Sequence, residues 1–200
     1  MTKQELWHNR VTLTGKHVQL EPMTEDHVPA LAEAGRDPSI WRYMIYGQLT
    51  TNKGMGDWVR EMLNKQSAET DLNFVVVSLQ SGEIAGATRF LEMRPEHRSL
   101  EIGGTWYSPK FQHTIVNTEC KYLLLEYAFE VLGCIRVQFK TDVRNERSMH
   151  AIERIGARKE GMMRNHFILP DGAIRDSVFY SILDKEWQRV KNQLLKKLNR

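Results

Sequence analysis

Gly103-Gly104 stands inside the strand-like run from Leu100 to Tyr107, where glycine weakens pairing and marks a bulge or a close backbone approach. A bulge there frees N–H and C=O groups. The segment that follows, Ser108 to Thr118, leads straight from the strand into a helix, for which Thr118 is the expected N-cap. Such a junction aims unpaired amides and the positive end of a helix dipole at one spot, which suits a phosphate. A plain strand-to-helix loop would read the same way. Neither a G-x-G-x-x-G run nor a Walker lysine pattern accompanies it, so P-loop and Rossmann assignments fall away. Metal chemistry is not expected: none of the seven histidines has a partner four residues away. Cys120 and Cys134 are too few and too irregularly placed for a zinc ribbon or a disulfide framework, and are expected to stay reduced and packed.

The elements that must position this junction follow from the apolar period, which alternates between 2 and 3.6. Val18, Leu20 and Pro22 alternate as a first strand, after which Thr24 can cap a helix carrying Val28, Leu31 and Ala32, ended by Asp37-Pro38. Met55, Trp58, Val59, Met62 and Leu63 mark a second helix with one buried face. Leu72 to Leu79, a turn at Ser81-Gly82, Ile84 to Met93 and Leu100 to Tyr107 then read as a three-strand meander. Cys120, Leu123, Leu124, Tyr127, Ala128 and Val131 repeat at helical spacing up to Gly133. Ile135, Val137, Phe139 and Thr141 alternate with Arg136, Gln138 and Lys140, giving a strand with one solvated or functional face. A short helix from Asn145 to Ile155 ends at Gly156, a hairpin turns at Pro170-Asp171-Gly172 and returns through Val178, Tyr180 and Ile182, and a final helix from Asp184 buries Trp187, Val190, Leu194 and Leu198. The order predicts an α/β (α+β) layout on a largely antiparallel sheet.

Length and composition bound the rest. The chain has 200 residues, a net charge of +3 and 41% hydrophobic residues, which suits one domain over 1–200 with a core that needs no staple. The longest apolar runs, such as Phe74 to Val77, are far short of the ~20 residues a bilayer requires, so no membrane partner is expected. The polar start, Met1 to Leu6, lacks the apolar region of a secretory signal, and the expected location is cytoplasmic. The small net charge argues against a nucleic-acid partner; the basic end (Arg189, Lys191, Lys196, Lys197, Arg200) reads as a solvated helix face.

Glu101-Ile102-Gly103-Gly104-Thr105-Trp106, the loop from Gln112 to Glu119, Asn145-Glu146-Arg147-Ser148 followed by Ala151 to Ala157, and the ending Asp171-Gly172, Arg175-Asp176, Tyr180-Ser181-Ile182 occur in that order over nearly the whole chain. In these features the chain resembles the GCN5-related N-acetyltransferase (GNAT) superfamily, in particular its RimJ/RimL-like ribosomal-protein N-acetyltransferase branch. The resemblance implies a bulged strand splayed from its parallel neighbour, Ile135 to Thr141, with acetyl-CoA in the cleft between them. It implies cofactor contacts at Thr105, Trp106 and Tyr107, at Gln112, His113, Thr114, Ile115, Val116, Asn117 and Thr118, and at Asn145 and Ser148. Asn145 is equally a good N-cap for its own helix.

The same resemblance implies direct acetyl transfer to an amine acceptor, a peptide N-terminus or a small molecule, within a ternary complex. Glu101 aligns with the strand glutamate that serves as general base, and a backbone N–H freed at Gly104 to Trp106 would meet the developing oxyanion. Two departures stand out: Ile115 and Asn117 occupy the loop positions where the family has glycines, and Ile152 replaces the tyrosine many members use as acid. Ser148, one turn earlier on the same helix face, is the replacement acid. Glu101 also reads as a salt-bridged carboxylate, and Ser148 as a helix serine bonded to its i−4 carbonyl. His166, Asp176 and Tyr180, with Trp41, Tyr43 and Tyr46, are candidates for the acceptor side; core packing is their other reading. A homodimer is left open, as is the alternative of a catalytically impaired CoA-binding or interaction module.

Overall fold

A computed structural model describes residues 3–199. Its strands are β1 (Leu13–Thr14), β2 (Val18–Pro22), β3 (Leu72–Ser78), β4 (Ile84–Arg94), β5 (Ser99–Tyr107), β6 (Arg136–Asp142), β7 (Arg158–Ile168) and β8 (Ile174–Leu183). They form one eight-stranded sheet in the order β1-β2-β3-β4-β5-β6-β8-β7. Every neighbouring pair is antiparallel except β5 with β6. The helices are α1 (Lys3–His8), α2 (Val28–Ala34), α3 (Asn52–Ser67), α4 (Ile115–Glu126, continued by a π turn over Tyr127–Val131), α5 (Glu146–Arg154) and α6 (Asp184–Leu198).

Because successive strand residues point to opposite faces, the sheet supports two cores. Phe74 and Val76 of β3 join one, with Cys120 and Leu124 of α4 and Trp187 and Val190 of α6. Val75 joins the other, with Leu31 of α2 and Met55, Trp58, Val59 and Met62 of α3. Both cysteines are free and buried.

β5 breaks this alternation, and the break is what builds the site. Leu100 and Ile102 face the first core, yet Trp106, of the same parity, lies in the second. The register explains it: Ala87 pairs with Trp106 and Arg89 with Gly103, so two steps along β4 span three along β5. One extra residue turns the later part of the strand over. Gly104 takes φ 57°, a left-handed conformation that suits glycine.

α4 starts a turn earlier than the sequence suggests. Thr114, extended at φ −104° and ψ −178°, is its N-cap and accepts a hydrogen bond from the Val116 N–H. Thr118, expected to be the cap, is inside the helix and buried, its Oγ1 accepting from Arg154 Nη2 at 2.8 Å. Val116 extends the apolar stripe back by four residues from Cys120, and this places the true start. α1, β1 and a 3-10 turn over Glu25–His27 ahead of α2 are too short to announce an apolar period in the sequence.

Glu119 anchors α4 to the sheet edge. Its buried carboxylate accepts from the backbone N–H groups of Lys16, His17 and Val18 at 2.9, 2.6 and 2.8 Å. Gly15 leaves the room this needs, since a Cβ there would lie 2.6 Å from Glu119 Cδ. Glu119→Ala strands those donors and is expected to lower stability by about 1–3 kcal/mol. A shift of the urea midpoint without a change in slope would show it.

Candidate active site

The strands β5 and β6 pair in parallel over three steps only, Ser99 with Arg136, Leu100 with Val137 and Glu101 with Gln138. Beyond Glu101 they part. The gap opens into a cleft of about 870 Å³, lined on one side by Glu101 to Tyr107 and on the other by Phe139, Lys140, Thr141 and α5. An ideal Cβ on Gly104 would stand 2.8 Å from Arg89 Nε and 3.2 Å from the Tyr46 hydroxyl, so the bulge passes close under these groups.

At one end lies the loop into α4. Gln112 Nε2 donates to the Tyr107 carbonyl at 2.9 Å, and its Oε1 accepts from Arg147 Nη1, which ties the end of β5 to α5. His113 takes the left-handed conformation, φ 60°, while Ile115 and Asn117 are helical. The two positions where the family has glycine therefore need no positive φ. Gln112, His113, Thr114 and Asn117 line the cleft beside the first-turn amides of α4, of which that of Val116 donates to Thr114 Oγ1. Ile115, Val116 and Thr118 do not, and Val116 and Thr118 are packed in the interior. Their side chains turn away from the cleft, so a cofactor contact at these positions rests on their backbone N–H groups and not on their side chains.

Where the strands part sits Glu101, 2% exposed. Its Oε2 accepts from Gln138 Nε2 at 2.9 Å and lies 3.2 Å from Lys140 Nζ. Burial raises its carboxyl above the ordinary carboxylate range, against the opposing pull of Lys140 and Gln138. The polar face read along β6 is thus the face that receives this carboxylate.

Lys121, missed in the sequence because it sits among apolar residues of α4, also lines the cleft. Its Nζ donates to Thr105 Oγ1 at 2.6 Å and to Thr88 Oγ1 at 3.4 Å, bracing the bulge from below. Burial lowers its ammonium to about 8. The folded value lies below the unfolded one, so the unfolded chain holds the extra proton between about pH 8 and about pH 10.4, and stability rises with pH through that window. Relative to Lys121→Met, the wild-type protein is expected to gain on the order of 2 kcal/mol across it. Urea titrations at both ends measure this; parallel profiles would show that Lys121 keeps its ordinary value.

On α5, Asn145 is the N-cap, its Oδ1 accepting from the Ser148 N–H at 3.1 Å. Asn145, Ser148 and Ile152 all line the cleft. The Ser148 hydroxyl makes no hydrogen bond to its i−4 carbonyl or to any other described residue. The cofactor candidates on β5 divide. Thr105 presents its side chain near the cleft, while the Trp106 indole packs against Trp41 with ring centroids 5.0 Å apart and the Tyr107 ring belongs to the first core, so each offers the cleft mainly backbone.

Of the acceptor candidates, Tyr43 and Tyr46 line the cleft. Trp41 is core. Tyr180 is buried with its hydroxyl on Glu153 Oε1, Asp176 accepts from the Asn165 N–H within the β7–β8 hairpin, and His166 packs on Phe167 and Phe179. These three are set aside as acceptor residues. Arg89 and Arg175, neither of them among the acceptor candidates read from the sequence, are brought to the cleft instead.

Residues 17–158 match the acetyltransferase (GNAT) domain family. The chain belongs to the GNAT acetyltransferases. It is 32% identical over 135 residues, 68% of this chain and 69% of the relative, to Bacillus subtilis YdaF, which is named provisionally as a ribosomal N-acetyltransferase. It is 24% identical over 170 residues, 85% of this chain and 88% of the relative, to Escherichia coli spermidine N(1)-acetyltransferase. A solved structure, Mycobacterium smegmatis RimJ in complex with CoA-disulfide, shares the fold with a TM-score of 0.81 at 18% identity, covering 95% of this chain and 96% of that one. The GNAT chain is accordingly an acetyl-CoA-dependent acyltransferase.

Proposed function

We propose that this GNAT enzyme acetylates a primary amine, a protein N-terminus or a small molecule, by direct attack in a ternary complex, with Glu101 as base and Ser148 as acid. The observation that carries the reading is a buried carboxylate of raised pKa at the point where β5 and β6 part, in the same cleft as an uncommitted serine hydroxyl. Gln112, the first-turn amides of α4, Arg147 and Asn145 are the donor set that would hold the cofactor's phosphates. Acetyl-CoA, when bound, supplies the activated thioester.

An ammonium has no lone pair, so Glu101 first takes its proton, directly or through a water. The freed nitrogen forms the N–C bond, backbone N–H groups between Gly104 and Trp106 stabilise the charge on the acetyl oxygen, and the C–S bond breaks. Ser148 gives its proton to the departing sulfur and recovers one, through solvent, from the nitrogen of the tetrahedral adduct, which must lose its second proton to become the amide; Glu101 releases the first amine proton to solvent. With His113 carrying the loop's left-handed turn, nothing in the loop favours a non-catalytic module over an enzyme. A cytoplasmic location and a single catalytic domain over 1–200 belong to the same proposal; a homodimer is compatible with it.

Ser148→Ala is expected to lower turnover about 10- to 100-fold with acetyl-CoA affinity unchanged, and Ile152→Tyr added to it is expected to restore part of the loss by supplying a phenol. Steady-state thiol release with calorimetry on the same variants tests this. Full activity of Ser148→Ala would remove the serine from the mechanism.

A further inference from the structure

We infer that the acceptor amine carries a carboxylate and that Arg175 binds it. This rests on the N-acetyltransferase reading above and names the substrate class of the same cleft.

Arg175, on β8, is 7% exposed and lines the cleft. Its Nε donates to Ser177 Oγ at 3.1 Å and its Nη1 to the Tyr43 carbonyl at 3.1 Å. Both partners are neutral. No carboxylate among the described residues lies within the 4.0 Å of an ion pair, and the two acids that act on it from farther away are committed elsewhere. Asp142 is held by Arg144 at 2.7 Å and Glu101 by Lys140 at 3.2 Å. The second Nη of Arg175 has no hydrogen-bond partner among the described residues.

The other cations near it do not share this condition. Arg89, 5% exposed, forms an ion pair with Asp71 at 2.6 Å and donates to the Tyr46 hydroxyl at 2.7 Å. Lys140 is matched by Glu101. Arg175 is therefore the buried guanidinium of this cleft wall whose charge is left uncompensated. Removing such a group from water is costly unless an anion meets it, and its planar fork is shaped for a carboxylate. Phe167 fixes its direction: the guanidinium of Arg175 and the ammonium of Lys140 both lie 5.5 Å from the centroid of that ring. The cation thus sits beside the partner of the proposed base, on the Tyr43 and Phe167 side of the cleft. The phosphate-binding amides belong to the separate loop at Gln112 to Asn117. A polyamine would bring further positive charge beside Arg175 and Lys140, where the nearby carboxylate, Glu101, is already held by Lys140.

The test is a selectivity measurement on the full chain with acetyl-CoA. Free α-amino acids are compared with their carboxamides, peptides beginning with Asp or Glu with their Asn or Gln counterparts, and spermidine is the polyamine probe. We expect kcat/KM to favour one carboxylate series over its neutral partner by about 10-fold or more. The amino-acid pair reports an α-carboxylate and the peptide pair a side-chain carboxylate. Arg175→Gln should erase that preference through KM, and Arg175→Lys, which keeps the charge and loses the fork, should retain part of it. Because the preference is a ratio, it is read on whatever active protein remains if Arg175→Gln is less stable. Equal use of both members of each pair, a preference for spermidine, or an unchanged ratio in Arg175→Gln would overturn the inference while leaving the N-acetyltransferase reading intact. Failure to bind acetyl-CoA or to release thiol with any amine would instead remove that reading, and this inference with it.

Discussion

Glu101→Gln is expected to lower turnover by about 10²- to 10⁴-fold while acetyl-CoA affinity stays as in the wild type. Glutamine keeps the shape and can still contact Gln138 and Lys140, so what is lost is the acceptor for the amine proton. The pH dependence carries more information than the rate. Burial raises the Glu101 carboxyl, so in the wild type the acidic limb of kcat/KM should fall above the ordinary carboxylate range, where the base begins to take up a proton. In Glu101→Gln that limb should vanish. Near-normal turnover with an unchanged limb would make Glu101 a structural partner of Lys140, its other reading from the sequence.

Asn117→Glu carries the second large effect. Asn117 lines the cleft from the first turn of α4, where a carboxylate would meet the cofactor's phosphates. The expected result is a loss of acetyl-CoA affinity of at least about 100-fold, relieved in part by salt. Stability should hold or rise slightly, since an acidic side chain near a helix N-terminus interacts favourably with its dipole. That opposition of signs separates a binding effect from misfolding. Thr118→Glu would not serve, because Thr118 is buried beneath Arg154 and a carboxylate there would disturb the packing of α4. Unchanged affinity in Asn117→Glu would place the phosphates elsewhere.

The order of elements was legible because apolar residues announce their period over each segment, as in Phe74 to Val76 of β3 or Met55, Trp58, Val59 and Met62 of α3. The bulge was legible for a different reason: two adjacent glycines in a strand have few other uses, and Gly104 takes the conformation that glycine allows. The start of α4 was misplaced because Thr114 and Thr118 are both acceptable caps by type, and only the extended backbone at Thr114 distinguishes them. Arg175 and Lys140 were illegible as neighbours. They meet around Phe167 because β8 inserts between β6 and β7, an ordering that no local pattern encodes. Lys121 was hidden by its stripe, and Tyr180 failed as an acceptor residue because its strand turns it into the core.

Acetyl transfer to an amine in the cleft between β5 and β6 is read out by free-thiol release from acetyl-CoA followed with and without an amine acceptor. Release should require both substrates, yield an N-acetylated product of matching amount, and collapse in Glu101→Gln. Release independent of amine, or no release with any amine despite a folded protein, would contradict it.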